Sequence, residues 1–473
     1  MIPLQLDEII RFTKGKLLTP YIPRLIKGIS TDTRTINKGS LFIALKGNNF
    51  DGHNFIIDAI KQKASVIILS RIPSSIKKEL RLNNHTSFIK VDDTVKALGN
   101  IAAYYRRKLS AKVIAIGGSN GKTTTKDMIA HILSKRYQVV KSPRSYNNFI
   151  GLPLTILSAD NHTEYLVAEV GTNQPGEISY LAKILKPDIS VITNISATHL
   201  EGLKDLEGVF KEESSLFKNL SSDKIALFES SNKRLKRLSK YAEYKTITFG
   251  MDSEATIRAK GIQIKPDYIN FSIAIKGQGY HKCNLPVLGA WNIKNALASF
   301  AVSYTIGMKP AEICKALADF KLPAMRMEKY FVNGVTFIND AYNANPTSVA
   351  LTIRELSEMK MASQPDRLGL AGRKVFVLGE MRELGKYSRR FHQDIADDIA
   401  KSNIDILIAI GNESKWTMEK LSGIKTPNIL SFYYKDISEA IPYIKKIIRK
   451  NDMVLLKGSR TNSLEKIILC YTN

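Results

Sequence analysis

Short apolar runs alternate with amphipathic segments along most of this chain. The stretches 64–69, 112–116 and 189–193 have the length and composition of buried strands, whereas 93–109 and 123–135 carry apolar residues at helical spacing. This alternation predicts βαβ units and mostly parallel sheets, whose ligands lie at the carboxyl ends of the strands. Further strands are predicted at 40–45, 166–170, 225–229, 335–339, 374–378, 404–410 and 452–457, and further helices near 54–62 and at 292–306.

The pattern divides the chain into three α/β regions. Residues 1–95 alternate short strands and helices, and residues 96–322 hold a longer series with a β-rich piece at 255–285. A new series, residues 323–473, begins after Leu322–Pro323. We therefore predict an α/β fold of three domains: a small α/β N-terminal domain, a central P-loop domain with a parallel sheet, and a Rossmann-like C-terminal α/β domain.

Bulk composition is typical of soluble globular proteins. With 473 residues the chain is too long for one core, and its 44% hydrophobic and 24% charged residues are ordinary values. No apolar run reaches the roughly 18 residues of a membrane span, and the N-terminus lacks a signal-peptide pattern. The three cysteines, Cys283, Cys314 and Cys470, are widely spaced, which predicts free thiols in a reducing cytoplasm.

The formal net charge of +26 admits two interpretations. A nucleic-acid-binding protein concentrates such charge in a stripe with aromatic platforms. Here lysine is spread along the whole chain, with one denser patch at Lys233–Lys240. The pattern favours a lysine-rich surface whose positive field collects small polyanionic substrates, and it predicts no nucleic-acid partner.

The sequence KVIAIGGSNGKTTTK at 112–126 joins a predicted strand to a predicted helix through a glycine-rich turn. This arrangement holds a nucleoside triphosphate: loop N–H groups and the helix N-terminus face the phosphates, Lys122 reaches the β- and γ-phosphates, and the Thr123 hydroxyl binds Mg²⁺. The motif present is G-x-x-G-K-T, and Ile116 stands where the longer form has its first glycine. We therefore predict a nucleoside triphosphate with Mg²⁺ as the ligand.

Two polar residues lie at predicted strand ends, where packing gives them no role. Glu169 ends the apolar run LVAEVG, and a buried carboxylate needs compensation, which a metal ion supplies well. His199 lies a few residues beyond the strand 189–193. A salt-bridged glutamate and a surface histidine are the structural alternatives. The pattern favours metal binding by both residues, with side chains that converge near Thr123.

Several longer motifs resemble the Mur ligases. GGSNGKTTTK, SYNNFIGLPLT (145–155), VAEVGTNQPGEI (167–178) and VITNISATHLEGL (191–203) are similar to the central domain of that family. STDTR (30–34), ALKGNNFDGHNF (44–55), NDAYNANPTS (339–348), VLGEMRELG (377–385) and KGSR (457–460) resemble the members that add D-alanyl-D-alanine to UDP-N-acetylmuramoyl-tripeptide. The resemblance implies ATP-dependent amide formation through an acyl phosphate, a cytoplasmic step of peptidoglycan precursor synthesis. We expect a monomer, although no sequence feature reports the oligomeric state.

The resemblance also assigns roles to single residues. Lys122 and a Mg²⁺ ion on Thr123 and Glu169 would stabilise the transferring phosphoryl group, and His199 would hold a second Mg²⁺. A helix cap is the structural alternative for an Asn near a helix start. The remaining implied contacts are Gly118, Ser119, Asn120, Gly121 and Thr124 to the phosphates, Asn292 and Asn295 to adenine, Arg326 and Asp340 to the phosphates and ribose, Ser30, Arg34 and Lys46 to the uridine diphosphate, and Asn147 and Asn148 to the peptide.

The chain departs from the family pattern in three places. Ala290 and Trp291 precede the adenine motif where the family often has Arg-His, and Phe149 follows the asparagine pair where an acid is usual. Mur ligases commonly carry a lysine, carbamylated by CO₂, whose carboxylate bridges the metals, and Glu213 stands at that position. Either Glu213 supplies a carboxylate, directly or through water, or Lys211 is the modified residue. Two positions along a helix turn a side chain by about 200°, which favours Glu213.

Other functions remain open at this point. A ligase that adds the third amino acid usually carries a D-N-P-[RA] motif, and no DNP occurs in this chain. Folylpolyglutamate synthetase shares the central fold, but its resemblance does not extend to the segment 30–34. A basic P-loop ATPase acting on nucleic acid would need a motor-type acidic motif and an arginine finger. The sequence does not distinguish diaminopimelate from lysine at the third peptide position.

Overall fold

Three sheets, each flanked by helices, follow one another along the chain in this computed structural model. The structure describes residues 1–47, 50–82, 85–218, 220–240, 242–361, 371–424 and 429–472.

The N-terminal region is built around a small mixed sheet of order β2-β7-β6-β5-β4, in which β4 to β7 pair in parallel and β2 is antiparallel to β7. A separate antiparallel pair joins β1 and β3. The elements are β1 (Leu4–Gln5), α1 (Leu6–Thr13), β2 (Lys16–Leu17), β3 (Leu25–Ile26), β4 (Ile29–Ser30), β5 (Leu41–Ile43), α2 (Ile56–Lys61), β6 (Val66–Leu69), α3 (Lys77–Leu82) and β7 (Ser87–Lys90).

The central region contains a large sheet of order β16-β15-β14-β13-β12-β11-β8-β10-β9. Its strands pair in parallel from β9 to β14, and β15 and β16 extend it as antiparallel strands. The elements are α4 (Thr94–Lys108), β8 (Lys112–Gly117), α5 (Lys122–Leu133), β9 (Val139–Lys141), α6 (Gly151–Ser158), β10 (Tyr165–Glu169), α7 (Glu177–Leu185), β11 (Ile189–Ile192), α8 (Leu200–Leu203), α9 (Leu206–Lys218), β12 (Ile225–Glu229), α10 (Lys233–Ser239), β13 (Lys245–Gly250), β14 (Ile257–Ile264), β15 (Ile269–Ile275), β16 (Tyr280–Leu285), α11 (Asn292–Thr305) and α12 (Pro310–Leu317).

The C-terminal region has a sheet of order β17-β18-β22-β19-β20-β21, parallel except for the edge strand β17. The loops that follow β18, β19 and β22 therefore leave the same edge of the sheet side by side. The elements are β17 (Glu328–Val332), β18 (Val335–Asn339), α13 (Pro346–Glu358), β19 (Lys374–Leu378), α14 (Ser388–Ala400), β20 (Ile406–Ile410), α15 (Lys415–Ser422), β21 (Leu430–Tyr434), α16 (Ile437–Ile447), β22 (Met453–Lys457) and α17 (Lys466–Thr472).

Helices cover both faces of the central sheet, and the side chains of β8 pack alternately against the helices on one face and on the other. Val113 and Ala115 point to the face covered by α4, α6 and α7, whereas Ile114 and Ile116 point to the face covered by α5, α11 and α12. All four side chains are fully buried. Burial of a large aliphatic side chain contributes about 1.5–3 kcal/mol, so the strand that leads into the glycine-rich loop is held from both sides.

The cysteines differ from the expectation of free thiols. Cys283 on β16 and Cys314 on α12 form a disulfide, and Cys470 is free. The pairing joins positions 31 residues apart in sequence. Such proximity arises because α12 packs against the outer strand of the sheet, which spacing along the chain does not reveal.

Within the described ranges, no helix combines the length and apolar character needed to cross a bilayer.

Candidate active site

The glycine-rich loop lies between the end of β8 and the first turn of α5, in the middle of the parallel part of the sheet. Gly118 (φ +114°) and Gly121 (φ +81°) adopt left-handed backbone. A Cβ at Gly118 would lie 2.3 Å from Thr193 Oγ1, and a Cβ at Gly121 would lie 2.4 Å from Asn295 Oδ1. Both positions therefore require glycine.

Part of the loop backbone is already bonded within the protein. The N–H of Gly118 donates to Glu213 Oε2 at 2.6 Å. The N–H groups of Ser119 and Asn120 donate to the carbonyl and side-chain oxygens of Asn194, at 2.9 and 3.0 Å. These three N–H groups therefore have protein acceptors in this structure, and their predicted contacts to a phosphate stay a prediction. The first N–H groups of a helix have no partner inside it, so the start of α5 remains as the anion-binding donor set.

Lys122 turns back over the loop that precedes it. Its Nζ donates to the Gly118 carbonyl at 2.5 Å and to the Ser119 carbonyl at 3.4 Å. The ammonium group is therefore held over the loop, beside the start of α5. Its contact with the β- and γ-phosphates stays a prediction.

Glu213 lies directly beneath the loop on α9 and is 1% exposed. Burial raises the pKa of its carboxyl group, and the charge of Lys122, the Gly118 N–H and His199 oppose that shift. Lys211, on the same helix, is exposed to solvent. Of the two candidates for the metal-bridging carboxylate, only Glu213 contacts the phosphate loop.

Glu169 ends β10 with a carboxylate that is buried among polar groups. The residue is 2% exposed, its Oε2 accepts from Thr123 Oγ1 at 2.9 Å, and its Oε1 accepts from Asn147 Nδ2 at 2.9 Å. The strand order explains this meeting, since β10 is the parallel neighbour of β8. The structure therefore brings three of the predicted site residues into one hydrogen-bonded group.

A cavity of about 230 Å³, here the central cavity, opens beside this group. It is lined from the central region by the loop, Lys122, Glu169 and His199, and from the C-terminal region by Arg326 and Lys457. His199 reaches it from the turn before α8, with left-handed backbone (φ +53°). Its Nδ1 lies in direct contact with the carboxylate of Glu383 from the C-terminal region. This contact lowers the pKa of Glu383.

The donors around Thr123 fit Mg²⁺. A hydroxyl and a carboxylate are hard oxygen ligands, and Mg²⁺ is commonly held by one or two carboxylates, waters and substrate phosphates. Across the described part of the chain, no three His, Cys, Asp or Glu side chains gather into a metal-binding group. A cation at Thr123 and Glu169 would therefore complete its shell with nucleotide oxygens.

The C-terminal region contributes a cationic wall to the central cavity. Lys457, at the end of β22, is 2% exposed and pairs with Asp340 Oδ2 at 2.6 Å. The Arg326 guanidinium lies 4.3 Å from the centre of the Tyr342 ring. Asn345 Nδ2 donates to Asn120 Oδ1 at 2.7 Å, which ties the C-terminal region to the phosphate loop.

A second space of about 430 Å³, the wide cavity, adjoins the central one and shares Asn120, Gly121, Arg326 and Lys457 with it. Its lining includes the other predicted nucleotide contacts, Thr124, Asn292, Asn295 and Asp340, together with Trp291. The two asparagines are bonded to one another, since Asn295 Nδ2 donates to Asn292 Oδ1 at 2.8 Å.

A third space of about 370 Å³, the outer cavity, meets the central one at Lys122, Asn147 and His199. Asn148 also lines it, but the Asn148 Oδ1 atom accepts from the N–H groups of Ile150 and Gly151 at 3.1 and 2.9 Å. This is the capping alternative for that asparagine, because α6 begins at Gly151.

The predicted uridine-diphosphate contacts lie apart from these cavities. The Ser30 hydroxyl donates to the Asp32 carbonyl at 2.8 Å, and the exposed Arg34 side chain forms a salt bridge with Asp32 at 2.7 Å. Lys46 is exposed, and its backbone forms an isolated antiparallel β-bridge with Asp51. None of the three is among the residues that line the central, wide or outer cavity. Their role stays a prediction.

Sequence reasoning assigned no role to Lys457 or Glu383. The sequence does contain a signal for Lys457, because this lysine ends an apolar run, as Glu169 does. Burying either charged side chain costs free energy unless another group compensates its charge. Glu383 lies in the segment VLGEMRELG (377–385) that resembles the family, but its role was not predicted because its contact with His199 forms only where two domains meet.

Comparison with known proteins extends over the whole chain. Three family models match: the Mur ligase family, catalytic domain at residues 25–106, the Mur ligase middle domain at 116–303, and the Mur ligase, glutamate ligase domain at 325–460. The UDP-N-acetylmuramoyl-tripeptide–D-alanyl-D-alanine ligase of Bacillus subtilis is 33% identical, over 99% of this chain and 98% of that protein. The enzyme of the same name from Escherichia coli is 29% identical over the same shares.

Solved structures give the same result. MurF from Acinetobacter baumannii superposes with a TM-score of 0.85 at 28% identity, covering 99% of this chain and 98% of that one. MurF from Thermotoga maritima in complex with ADP superposes with a TM-score of 0.78 at 26% identity, covering 94% and 96%. The predicted three-domain α/β fold is confirmed, and the chain belongs to the Mur ligase family.

Proposed function

We propose that this protein joins D-alanyl-D-alanine to UDP-N-acetylmuramoyl-tripeptide with the energy of ATP, a cytoplasmic step of peptidoglycan precursor synthesis. The observation that carries the proposal is that the central cavity adjoins both other cavities, with walls from two domains. It meets the outer cavity at Lys122 and His199, and it meets the wide cavity at Asn120, Gly121, Arg326 and Lys457. A nucleotide, a transferring phosphoryl group and a peptide carboxylate each have a space, and the spaces are contiguous. Relatives of that name match the chain from end to end.

ATP occupies the wide cavity, with its triphosphate directed at the start of α5. Asn292 and Asn295 face the adenine, and Asp340 faces the ribose. The cations Lys122, Arg326 and Lys457 line the path of the phosphates. Phosphoryl transfer depends on positioning and charge neutralisation more than on covalent help from the protein, and this set supplies both.

Thr123 and Glu169 would hold one Mg²⁺ ion, and His199 would hold a second. When bound there, the ions would supply positive charge against the phosphoryl oxygens. Asn147 fixes the orientation of Glu169 through its amide. The loop glycines let the backbone approach the phosphates without a Cβ in the way.

The reaction proceeds in two balanced steps. A carboxylate oxygen of the tripeptide attacks the γ-phosphorus, the bond to the β-phosphate oxygen breaks, and ADP leaves. The free amine of the dipeptide then attacks the acyl carbon, the tetrahedral intermediate collapses, and inorganic phosphate leaves as the amide forms. The amine loses a proton in this step. Lys122 remains against the phosphoryl oxygens throughout.

Substrate positions follow from the remaining spaces. The outer cavity, with Asn147 and Asn148, takes the peptide part of the UDP substrate. Ser30, Arg34 and Lys46 in the N-terminal domain take the uridine diphosphate. We assign the domains to 1–95, 96–322 and 323–473, the enzyme to the cytoplasm, and the active species to a monomer.

Glu213 replaces the carbamylated lysine of other Mur ligases. Its carboxylate is buried, lies beneath the loop and faces the charges of Lys122 and His199. An anion at this point offsets the repulsion between two divalent cations. The enzyme therefore needs no CO₂ to complete the site.

Product mass tests the function. The purified protein is supplied with Mg²⁺, ATP and UDP-muramoyl-tripeptides that carry diaminopimelate or lysine, with and without D-alanyl-D-alanine. We expect phosphate release and a pentapeptide product only when all substrates are present. Robust turnover with a free amino acid on a UDP-muramoyl-dipeptide would assign the chain to third-residue addition instead. Phosphate release stimulated by DNA or RNA would contradict the ligase assignment altogether.

A further inference from the structure

The contact between His199 and Glu383 joins the central and C-terminal domains at the edge of the central cavity. The His199 Nδ1 atom is buried and, among the described residues, has no hydrogen-bond partner of good geometry, but the Glu383 carboxylate lies directly against it. A carboxylate only accepts hydrogen bonds, so a hydrogen between the two groups belongs to Nδ1. This fixes the tautomer in which Nε2 carries a free lone pair.

Both residues of the pair hold an uncommon backbone conformation. His199 has φ +53° and Glu383 has φ +64°. Left-handed backbone costs a non-glycine residue about 1–2 kcal/mol, so the surrounding structure must enforce it. A second bond does so, because the Glu201 N–H donates to the Glu383 carbonyl at 3.1 Å.

Apolar side chains pack the segments that carry His199 and Glu383 against each other. Leu200, Leu203 and Val209 of the central domain form a small buried cluster, and Tyr387 and Phe391 of the C-terminal domain pack against it. The cluster includes the helix that begins immediately after His199 and the turn that follows Glu383. The position of the carboxylate is therefore set by the packing of one domain on the other.

We propose that Glu383 is a positioning residue that orients His199 for metal binding and makes this metal site depend on domain closure. Metal-bound histidines almost always donate their second ring N–H to a carboxylate, carbonyl or water, and loss of that partner weakens metal binding about 10–100-fold. Here the partner comes from the other domain. When the domains separate, His199 loses both its orientation and its fixed tautomer.

This inference rests on the proposed role of His199, and it adds an order of events. The second cation is held firmly only after the C-terminal domain has closed. Because the closed domain also brings Arg326 and Lys457 to the central cavity, the charges needed for phosphoryl transfer assemble together. An open enzyme therefore lacks the full set of charges that phosphoryl transfer needs.

Mn²⁺ binding tests the proposal without relying on turnover. The full-length protein, saturated with a non-hydrolysable ATP analogue and UDP-muramoyl-tripeptide, is titrated with Mn²⁺, and bound ion is measured by electron paramagnetic resonance. We expect two sites. Glu383→Ala should weaken one site about 10–100-fold, and Glu383→Gln, which keeps an acceptor oxygen, should weaken it less. Glu201→Gln, a matched change at a neighbouring exposed carboxylate, should leave both sites unchanged.

A double-mutant cycle separates positioning from general destabilisation. In a His199→Ala background, Glu383→Ala should cause no further loss of Mn²⁺ affinity. Equal losses in both backgrounds would overturn the proposal, as would wild-type Mn²⁺ affinity in Glu383→Ala. Thermal melting of each variant checks the fold. The product-mass assay with wild-type protein stands apart, so a failed function and a failed positioning role give different results.

Discussion

Lys122 carries the charge closest to the expected path of the γ-phosphoryl group. Its ammonium is held over the loop by the Gly118 and Ser119 carbonyls. We predict that Lys122→Ala lowers kcat by about three orders of magnitude, because it removes a charge that acts most strongly in the transition state. Steady-state phosphate release measures the change. Lys211→Ala, an exposed lysine on α9, is the control, and a Lys122→Ala loss below about tenfold would contradict a catalytic role.

Glu213 offers a second prediction at the same scale. If its carboxylate serves in place of a carbamylated lysine, Glu213→Gln should lower the rate and raise the Mg²⁺ concentration needed for half-maximal activity. Added bicarbonate should change neither wild-type nor mutant activity, and Lys211→Ala should stay within a few-fold of wild type. Mg²⁺ titrations in CO₂-depleted buffer provide the measurement. Bicarbonate rescue, with Lys211→Ala inactive and Glu213→Gln active, would identify Lys211 as the modified residue instead.

Sequence reasoning located the residues whose chemistry conflicts with their surroundings. Glu169 was singled out because it ends an apolar run, and the structure buries it against Thr123. Asn148 is predicted as a substrate contact; it lines the outer cavity, and its Oδ1 also accepts from the N–H groups at the start of α6, so the sequence alone does not separate ligand binding from capping. Glu383 was missed because its partner lies 184 positions away on another domain.

Among the elements, central strands were predicted better than edge strands. The runs that form β8, β10, β11, β12, β19 and β22 are buried almost throughout, and hydrophobicity alone marks them. By contrast, β9, β17 and β21 lie at sheet edges with partly exposed residues, and no strand was predicted for them. An edge strand is stabilised by its neighbour, so its own sequence need not be apolar.

The loop between β8 and α5 depends on glycine at position 118, and a substitution there can test this requirement. We predict that Gly118→Ala weakens ATP binding more than tenfold, because its Cβ would meet Thr193 Oγ1 at 2.3 Å and its N at 2.9 Å. Gly277→Ala is the matched control, since that glycine has φ +78° and no atom within 4 Å of the added Cβ. The control should cost only about 1–2 kcal/mol of stability. Fluorescent-nucleotide titration and thermal melting compare the two, and equal nucleotide affinity would contradict the prediction.

At the scale of the whole molecule, the sequence predicted three regions and their order. Strand and helix periodicity are local, so they survive in the sequence. The Cys283–Cys314 pairing and the contact of C-terminal loops with the phosphate loop join residues that are far apart in sequence. These contacts depend on how helices, sheets and domains pack against one another. The net charge of +26 favours anionic ligands, but it predicts no location for them.

Domain closure is the last prediction. The structure joins the domains through Asn120–Asn345, Ser145–Tyr342 and His199–Glu383, all at the central cavity. The segment Leu322–Arg326 connects the domains, and Met325 within it has left-handed backbone (φ +61°), as expected of a connection that changes direction sharply. The Glu201–Glu383 backbone bond and the apolar contacts of Tyr387 and Phe391 add to these three contacts. Relative motion is the usual behaviour of domains that meet through such mixed contacts, so we expect the free protein to open about this hinge.

Small-angle X-ray scattering measures this opening. ATP analogue and UDP-muramoyl-tripeptide together should reduce the radius of gyration and bring the profile to that calculated from the structure. Tyr342→Phe, which keeps the ring on Arg326 but removes the hydroxyl that contacts Ser145, should need more ligand to reach the same profile. Nucleotide alone should compact the protein less, because the outer cavity is then empty of substrate. A profile unchanged by saturating ligands would show that the C-terminal domain does not close during the reaction, and the ordering of the second metal site would have to come from the central domain alone.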